Sequence, residues 1–95
     1  MVVGILQLDL HLHGPQNLKQ KRSVVQRLLT RCRNRFPASC AEVGCQDLWQ
    51  RTLIGFAVVS NSEQVVAPIL SRIESEVLAH DGVDLVDALT EFVHY

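Results

Sequence analysis

The amino-acid sequence predicts an α+β fold, and three observations support this prediction. Leucine alternates with polar residues near the start of the chain, two later segments repeat apolar residues at helical spacing, and another segment is almost continuously apolar. The chain has 95 residues, of which 47% are hydrophobic and 20% charged, which is the composition of a folded protein with room for one core. We therefore expect a single domain over residues 1–95.

The first strand is predicted from strict alternation. Every second residue from Leu6 to Leu12 is leucine and should face the core, while the polar residues between them should face solvent. The run His13-Gly14-Pro15 should end the strand, because proline has no amide hydrogen to donate to a sheet.

A helix is predicted to begin after Asn17 and to continue to about Arg35. Asn17 can cap this helix, and Gln20 three residues later completes a capping-box pattern. Pro37 should end it, because proline disfavours helical geometry in the residue before it. The apolar stripe repeats at spacings of three and four residues and consists of Leu18, Val25, Leu28, Leu29 and Cys32.

Two strands should follow this helix. Residues 38–44 form a weak strand, since most of them are small. Residues 52–59 form a stronger strand that is apolar on both faces. A strand of that kind is expected inside a sheet rather than at its edge.

A second helix and a last strand complete the prediction. Residues 60–63 form another capping-box pattern, with Ser60 as the cap. Pro68 lies too deep for the first turn of a helix that starts there, so we expect either a kink or a later start. Residues 83–93 form the last strand, whose irregular alternation indicates a β-bulge. The buried stripe of the second helix should consist of Val66, Ile69, Leu70, Ile73 and Val77.

The predicted order is therefore strand, helix, strand, strand, helix, strand. Two βαβ halves with right-handed crossovers would interleave into a four-stranded antiparallel sheet, with both helices packed on one face. This is the ferredoxin-like arrangement of α+β proteins.

Four segments of the chain also carry a resemblance to a known family. They are MVVGILQLDLHL, NLKQKRSVVQRLLTRCRNRF, AEVGCQDLWQR and AVVSN. Together they are similar to the YlxP-like family of small, uncharacterised bacterial proteins, although Cys45 stands where histidine is common. The resemblance implies a ferredoxin-like fold, no established enzymatic activity, and genes that in many bacteria lie among those for translation and ribosome maturation.

Positive charge is concentrated in the first half of the chain. Residues 1–51 contain eight Lys and Arg against three acidic residues, whereas residues 52–95 contain one against seven. The cations of the first helix have no acidic residue nearby in sequence, so we expect them to remain free for an external polyanion such as RNA. A merely solvated helix face and an acidic protein partner are the alternatives. Three of the arginines recur at steps of four and should form a ridge: Arg27, Arg31 and Arg35.

The predicted connection between the second and third strands holds the single tryptophan. Trp49 could fold back to cover the end of the core, or it could be a partly exposed anchor beside Arg51. Such a pair is common in interfaces and could stack on an unpaired base. The predicted residues for binding a nucleic acid or another partner are Lys19, Lys21, Arg22, Arg27, Arg31, Arg35, Trp49 and Arg51.

We predict no catalytic residue, no metal site and no cofactor. Asp9, His11 and His13 share one strand face, but residues two apart on a strand stand roughly 7 Å from each other, a poor span for ligands of one ion. The chain has no glycine-rich phosphate loop and no nucleophile motif. The open sheet face also lacks the aromatic residues of RNA-recognition modules, since Phe56 is alone in the third strand.

We therefore expect a non-enzymatic binding module that contacts RNA or a ribosomal particle through its basic first helix. The alternative is a protein-interaction or homodimerising module, because the open face of the sheet needs covering. The chain shows neither a span long enough for a bilayer nor a basic leader, so we expect a cytoplasmic protein without a membrane partner.

Overall fold

The computed structural model describes the whole chain, residues 1–95, and confirms the predicted order of elements. The elements are β1 (Val2–Leu12), α1 (Leu18–Arg35), β2 (Ser39–Gly44), β3 (Arg51–Ser60), α2 (Glu63–Leu78) and β4 (Val83–His94). The strands lie in the order β2-β3-β1-β4, and every neighbouring pair is antiparallel. The fold is therefore α+β and ferredoxin-like, as predicted.

Both helices cover the same face of the sheet, and the core lies between them and the central strands. The four leucines of β1 from Leu6 to Leu12 are each no more than 1% exposed, as their alternation predicted. The intervening residues of β1 are only half-buried. We call the side on which these residues lie the open face, because no helix covers it.

β3 lies between β2 and β1, which confirms its predicted place inside the sheet. The predicted position of Phe56 on the open face is wrong. Phe56 lies in register with Leu6 and Cys40, is 2% exposed, and belongs to the core beneath the helices. The open face of β3 therefore carries no aromatic side chain.

The cap of α1 forms where the sequence predicts it. The side-chain oxygen of Asn17 accepts a hydrogen bond from the amide of Gln20 at 2.9 Å. The side chain of Gln20 in turn accepts from the amide of Gln16 at 2.8 Å, one residue before the cap. The helix ends before Phe36 and Pro37, as expected. Neither helix is long and apolar enough to cross a membrane.

α2 begins later than its first possible cap, which was one of the two expectations for Pro68. Ser62 rather than Ser60 is the cap, and its hydroxyl oxygen accepts from the amide of Gln64 at 3.1 Å. Pro68 remains inside the helix and is exposed. Even with the later cap, Pro68 lies beyond the first turn, so it removes the amide that would donate to the carbonyl of Gln64.

β4 is an edge strand with the predicted bulge. Its register with β1 shifts between Asp9 and Leu10, which leaves Val86 without a partner in β1. All residues from 84 to 91 are exposed. β2 forms the other edge of the sheet, so the basic helix α1, which contacts β2, and the acidic strand β4 lie toward opposite edges.

Candidate anion-binding groove

A polar groove of about 640 Å³ runs along the C-terminal half of α1. One wall is the predicted ridge of Arg27, Arg31 and Arg35, which lie at steps of four and therefore stack along one side of the helix. We call this the arginine groove. No hydrophobic residue lines the groove. Besides the three arginines, the lining residues are Gln26, Thr30 and Asn34 of α1 and His80, which follows α2.

A single carboxylate faces two of these arginines. One oxygen of Glu76 in α2 accepts from Nε of Arg31 at 2.6 Å and lies 2.9 Å from Nη1 of Arg35. The hydrogen bond from Arg31 lowers the pKa of Glu76, and the charge of Arg35 lowers it further, although partial burial opposes both. Glu76 is therefore ionised at neutral pH and holds α1 and α2 together.

The charge of the groove remains positive despite this contact. Three guanidinium groups against one carboxylate leave a net charge of +2. Arg27 forms no ion pair. The side chains of Arg31 and Arg35 stay 46% and 53% exposed, so both remain partly open to solvent.

We expected the positive charges of the ridge to have no acidic partner within the chain. This expectation is wrong for Arg31 and Arg35, which contact Glu76, and correct for Arg27. Sequence separation concealed the partner, because Glu76 lies 45 residues beyond Arg31. The compensation is also partial, since both guanidinium groups share the same carboxylate oxygen.

The prediction that Lys21 binds a partner is also wrong, because its side chain cannot contact a ligand. Its side chain is 1% exposed, and its ammonium lies 2.7 Å from a carboxylate oxygen of Glu42. The same ammonium donates to the carbonyl of Cys45 at 2.6 Å, which fixes the start of the β2–β3 connection. The spacing of the apolar stripe could have shown this, since Lys21 precedes Val25 by one helical turn and shares its buried face.

Two other predicted cations of α1, Lys19 and Arg22, are exposed and form no ion pair. They lie on the N-terminal half of the helix, outside the lining of the arginine groove. They extend the positive surface along α1 without contributing to the concave site.

The β2–β3 connection presents Trp49 to solvent. Trp49 is 48% exposed and the neighbouring Leu48 is 52% exposed, and neither belongs to the residues packed against the core, so the interpretation of Trp49 as a cover for the core is wrong. Arg51 does not stand free beside it, because its Nη2 donates to both carboxylate oxygens of Asp9 at 2.9 Å. Trp49 and Arg51 line a separate depression, not the arginine groove.

Sequence reasoning missed four polar residues of the groove. Gln26, Thr30 and Asn34 recur at steps of four, one residue before each arginine, and form a second ridge beside the first. That spacing was a usable signal. No pattern in the sequence could have identified His80, because only the packing of α2 against α1 brings it to the groove.

We expect the contact between Glu76 and the arginines to make stability depend on pH. The pKa of Glu76 is lowered in the folded protein from its ordinary value of 4.5, so its ionised form stabilises the fold above that value and this contribution is lost as the pH falls below it. Glu76→Gln should therefore be less stable than the parent at neutral pH, and the difference should shrink under acidic conditions. Urea unfolding across this range measures it, and a difference independent of pH would contradict the assignment.

Comparison with known proteins identifies a family but no activity. A family model described as a protein of unknown function, DUF503, matches residues 3–90. The uncharacterised protein YlxP of Bacillus subtilis (strain 168) is 39% identical over 72 residues, which are 76% of this chain and 78% of that protein. The matches agree with the resemblance seen in the sequence, and the chain belongs to the DUF503, or YlxP-like, family of proteins of unknown function.

Proposed function

We propose that this protein is a non-enzymatic module that binds RNA by holding its phosphate backbone in the arginine groove. The observation that supports this most directly is the lining of the groove, where three arginines and no hydrophobic residue border a surface that is wide open to solvent. Such a surface is poorly suited to an apolar ligand, since most small-molecule sites are lined mainly by apolar groups. It is well suited to an extended anion.

The geometry of the ridge favours a chain of phosphates over one small anion. Guanidinium groups present planar forks of donors that match phosphate oxygens, often through two hydrogen bonds at once. Arginines four residues apart on a helix are displaced by about 6 Å along its axis. Arg27, Arg31 and Arg35 therefore offer successive contacts along a line rather than a cage around one point.

The second ridge supports RNA over an acidic protein surface. Gln26, Thr30 and Asn34 provide neutral donors and acceptors beside the guanidinium groups. RNA presents sugar hydroxyls next to its phosphates, and these hydroxyls both donate and accept hydrogen bonds. Carboxylates only accept hydrogen bonds, so they would use the arginines and the amide and hydroxyl donors but not the acceptors of this ridge.

Charge outside the groove supports the same role. Lys19 and Arg22 carry the positive surface toward the start of α1, while the acidic residues of β4 lie toward the opposite edge of the sheet. A separation of this kind would orient the protein as it approaches a polyanion. Binding would also depend strongly on salt, because contacts with phosphates release condensed counterions.

We predict that charge reversal in the groove weakens RNA binding more than the same change elsewhere. Fluorescence anisotropy of a labelled structured RNA at rising salt gives the affinity and its salt dependence. Arg27→Glu should weaken binding and lower the slope of log K against log salt by about 0.7 to 0.9 for each phosphate that the variant no longer binds. Arg27 is the choice because it is exposed and supports no ion pair of the fold.

Arg72→Glu is the matched control. Arg72 is an exposed arginine of α2 outside the arginine groove, so its reversal changes the net charge equally. It should leave the affinity close to that of the parent. Absence of binding at low salt, or equally weakened binding in both variants, would contradict the proposed site.

A second candidate function is self-association through the open face, with another copy of this chain as the partner. Val3, Val59 and Val93 lie side by side across three strands, and Val59 is 60% exposed. The charged pair of Asp9 and Arg51 lies toward the other end of this face. Since the valine row is uncharged, it matches a second copy of itself, and two sheets could pack there about 10 Å apart.

We predict that Val59→Asp abolishes any such dimer without unfolding the chain, because the parent side chain is already mostly exposed. Light scattering at rising protein concentration measures the association. Phe56 is unsuitable for this test, since a carboxylate at its buried position would destabilise the core. A parent protein that stays monomeric, or a Val59→Asp variant that still dimerises, would contradict this second candidate.

A further inference from the structure

Two histidines and an aspartate converge at one end of the sheet. His11 lies at the end of β1, His13 just beyond it, and Asp84 near the start of β4. Nδ1 of His11 lies 3.4 Å from Nε2 of His13, and the same Nε2 contacts the carboxylate of Asp84. The three ligand atoms all lie within 4.8 Å of one another.

The fold explains why these side chains meet. His11 and Asp84 are directly opposite in the antiparallel pairing of β1 and β4, so they share the open face. The amide of His13 donates to the carbonyl of Gly82 at 2.9 Å, which keeps the chain alongside β4 after the strand ends. Because His13 lies beyond the strand, the two rings approach to 4.4 Å between centroids, and the 7 Å spacing of strand positions does not apply.

We infer that His11, His13 and Asp84 form a binding site for a divalent transition-metal ion, with Zn²⁺ as the best-matched ion. Imidazole nitrogens and carboxylate oxygens bind Zn²⁺ at about 2.0 to 2.2 Å, and two ligand atoms at tetrahedral positions around it are then about 3.3 Å apart. The 3.4 Å between the two imidazole nitrogens fits that separation. The contact between His13 and Asp84 is shorter, so an ion entering between them would move them apart.

The local charge favours a cation at this end of the open face. Asp9 and Asp87 lie opposite each other next to the cluster, and Arg51 is held by the carboxylate of Asp9. Together with Asp84 there are three carboxylates and one guanidinium group in this region, which sum to a net charge of −2.

The site is open to solvent and provides three protein ligands. The side chains of His13 and Asp84 are 53% and 66% exposed, so an ion can enter without any rearrangement of the core. Three ligands leave the fourth tetrahedral position to water, as in zinc sites that retain an exchangeable ligand.

The chain contains a natural control for this assignment. His94 and Glu63 form another exposed contact between an imidazole and a carboxylate, at 2.5 Å. No third ligand joins them, since the only group of three such residues in the structure is His11, His13 and Asp84. If any pairing of histidine with a carboxylate sufficed, both places would bind the ion.

Isothermal titration of the full chain with Zn²⁺, in a buffer containing a reductant that does not bind metals, tests the inference. The parent should bind one ion per chain. His13→Gln and Asp84→Asn should each weaken binding by about tenfold or more, because loss of an outer-shell partner alone has effects of that size. His94→Gln should bind like the parent.

Two further measurements make the outcome decisive. Thermal unfolding without metal should show that His13→Gln and Asp84→Asn remain folded, as expected for exposed positions. Cys45→Ser, which removes the cysteine that is not fully buried, should leave Zn²⁺ affinity unchanged. No binding by the parent, equal binding by folded His13→Gln, or loss of binding in His94→Gln or Cys45→Ser would overturn the assignment.

Discussion

One carboxylate, that of Glu76, links the two helices and offsets part of the charge of the arginine groove on α1. Its side chain is 19% exposed and lies against both Arg31 and Arg35, so it orients the C-terminal half of α1 relative to α2. Because one negative charge faces two guanidinium groups, the contact supports the fold without neutralising the ridge. The net positive charge of the groove and its suitability for a polyanion depend on this imbalance.

Some cations of α1 stabilise the fold and others lie free at the surface, and Lys21 belongs to the first group. It contacts Glu42, whose carboxylate also accepts from the hydroxyl of the buried Thr52 at 2.5 Å. Removing one partner of such a buried pair typically costs about 3 to 5 kcal/mol, so this lysine is committed to holding α1 against β2 and β3. The positive charge available to a ligand is therefore smaller than the sequence suggests and lies at defined places: Lys19, Arg22 and the arginine groove.

Patterns among neighbouring residues were sufficient to predict most of the fold and the ridge of three arginines. The leucines of β1, the Asn17 cap and the steps of four in α1 are properties of neighbouring residues, and the structure reproduces each of them. The apolar run of β3 carries no alternation, so it could not show that Phe56 faces the helices. Pairings between distant residues were equally hidden: 71 positions separate His13 from Asp84.

The affinity of Glu76→Gln for a structured RNA tests the central claim most directly. This change keeps the shape of the side chain and an oxygen that can accept a hydrogen bond, but it removes the negative charge that Arg31 and Arg35 share. If the arginine groove binds phosphates, fluorescence anisotropy should show tighter binding than in the parent and a steeper dependence on salt. An affinity equal to or weaker than that of the parent, in a variant shown to be folded, would contradict the account.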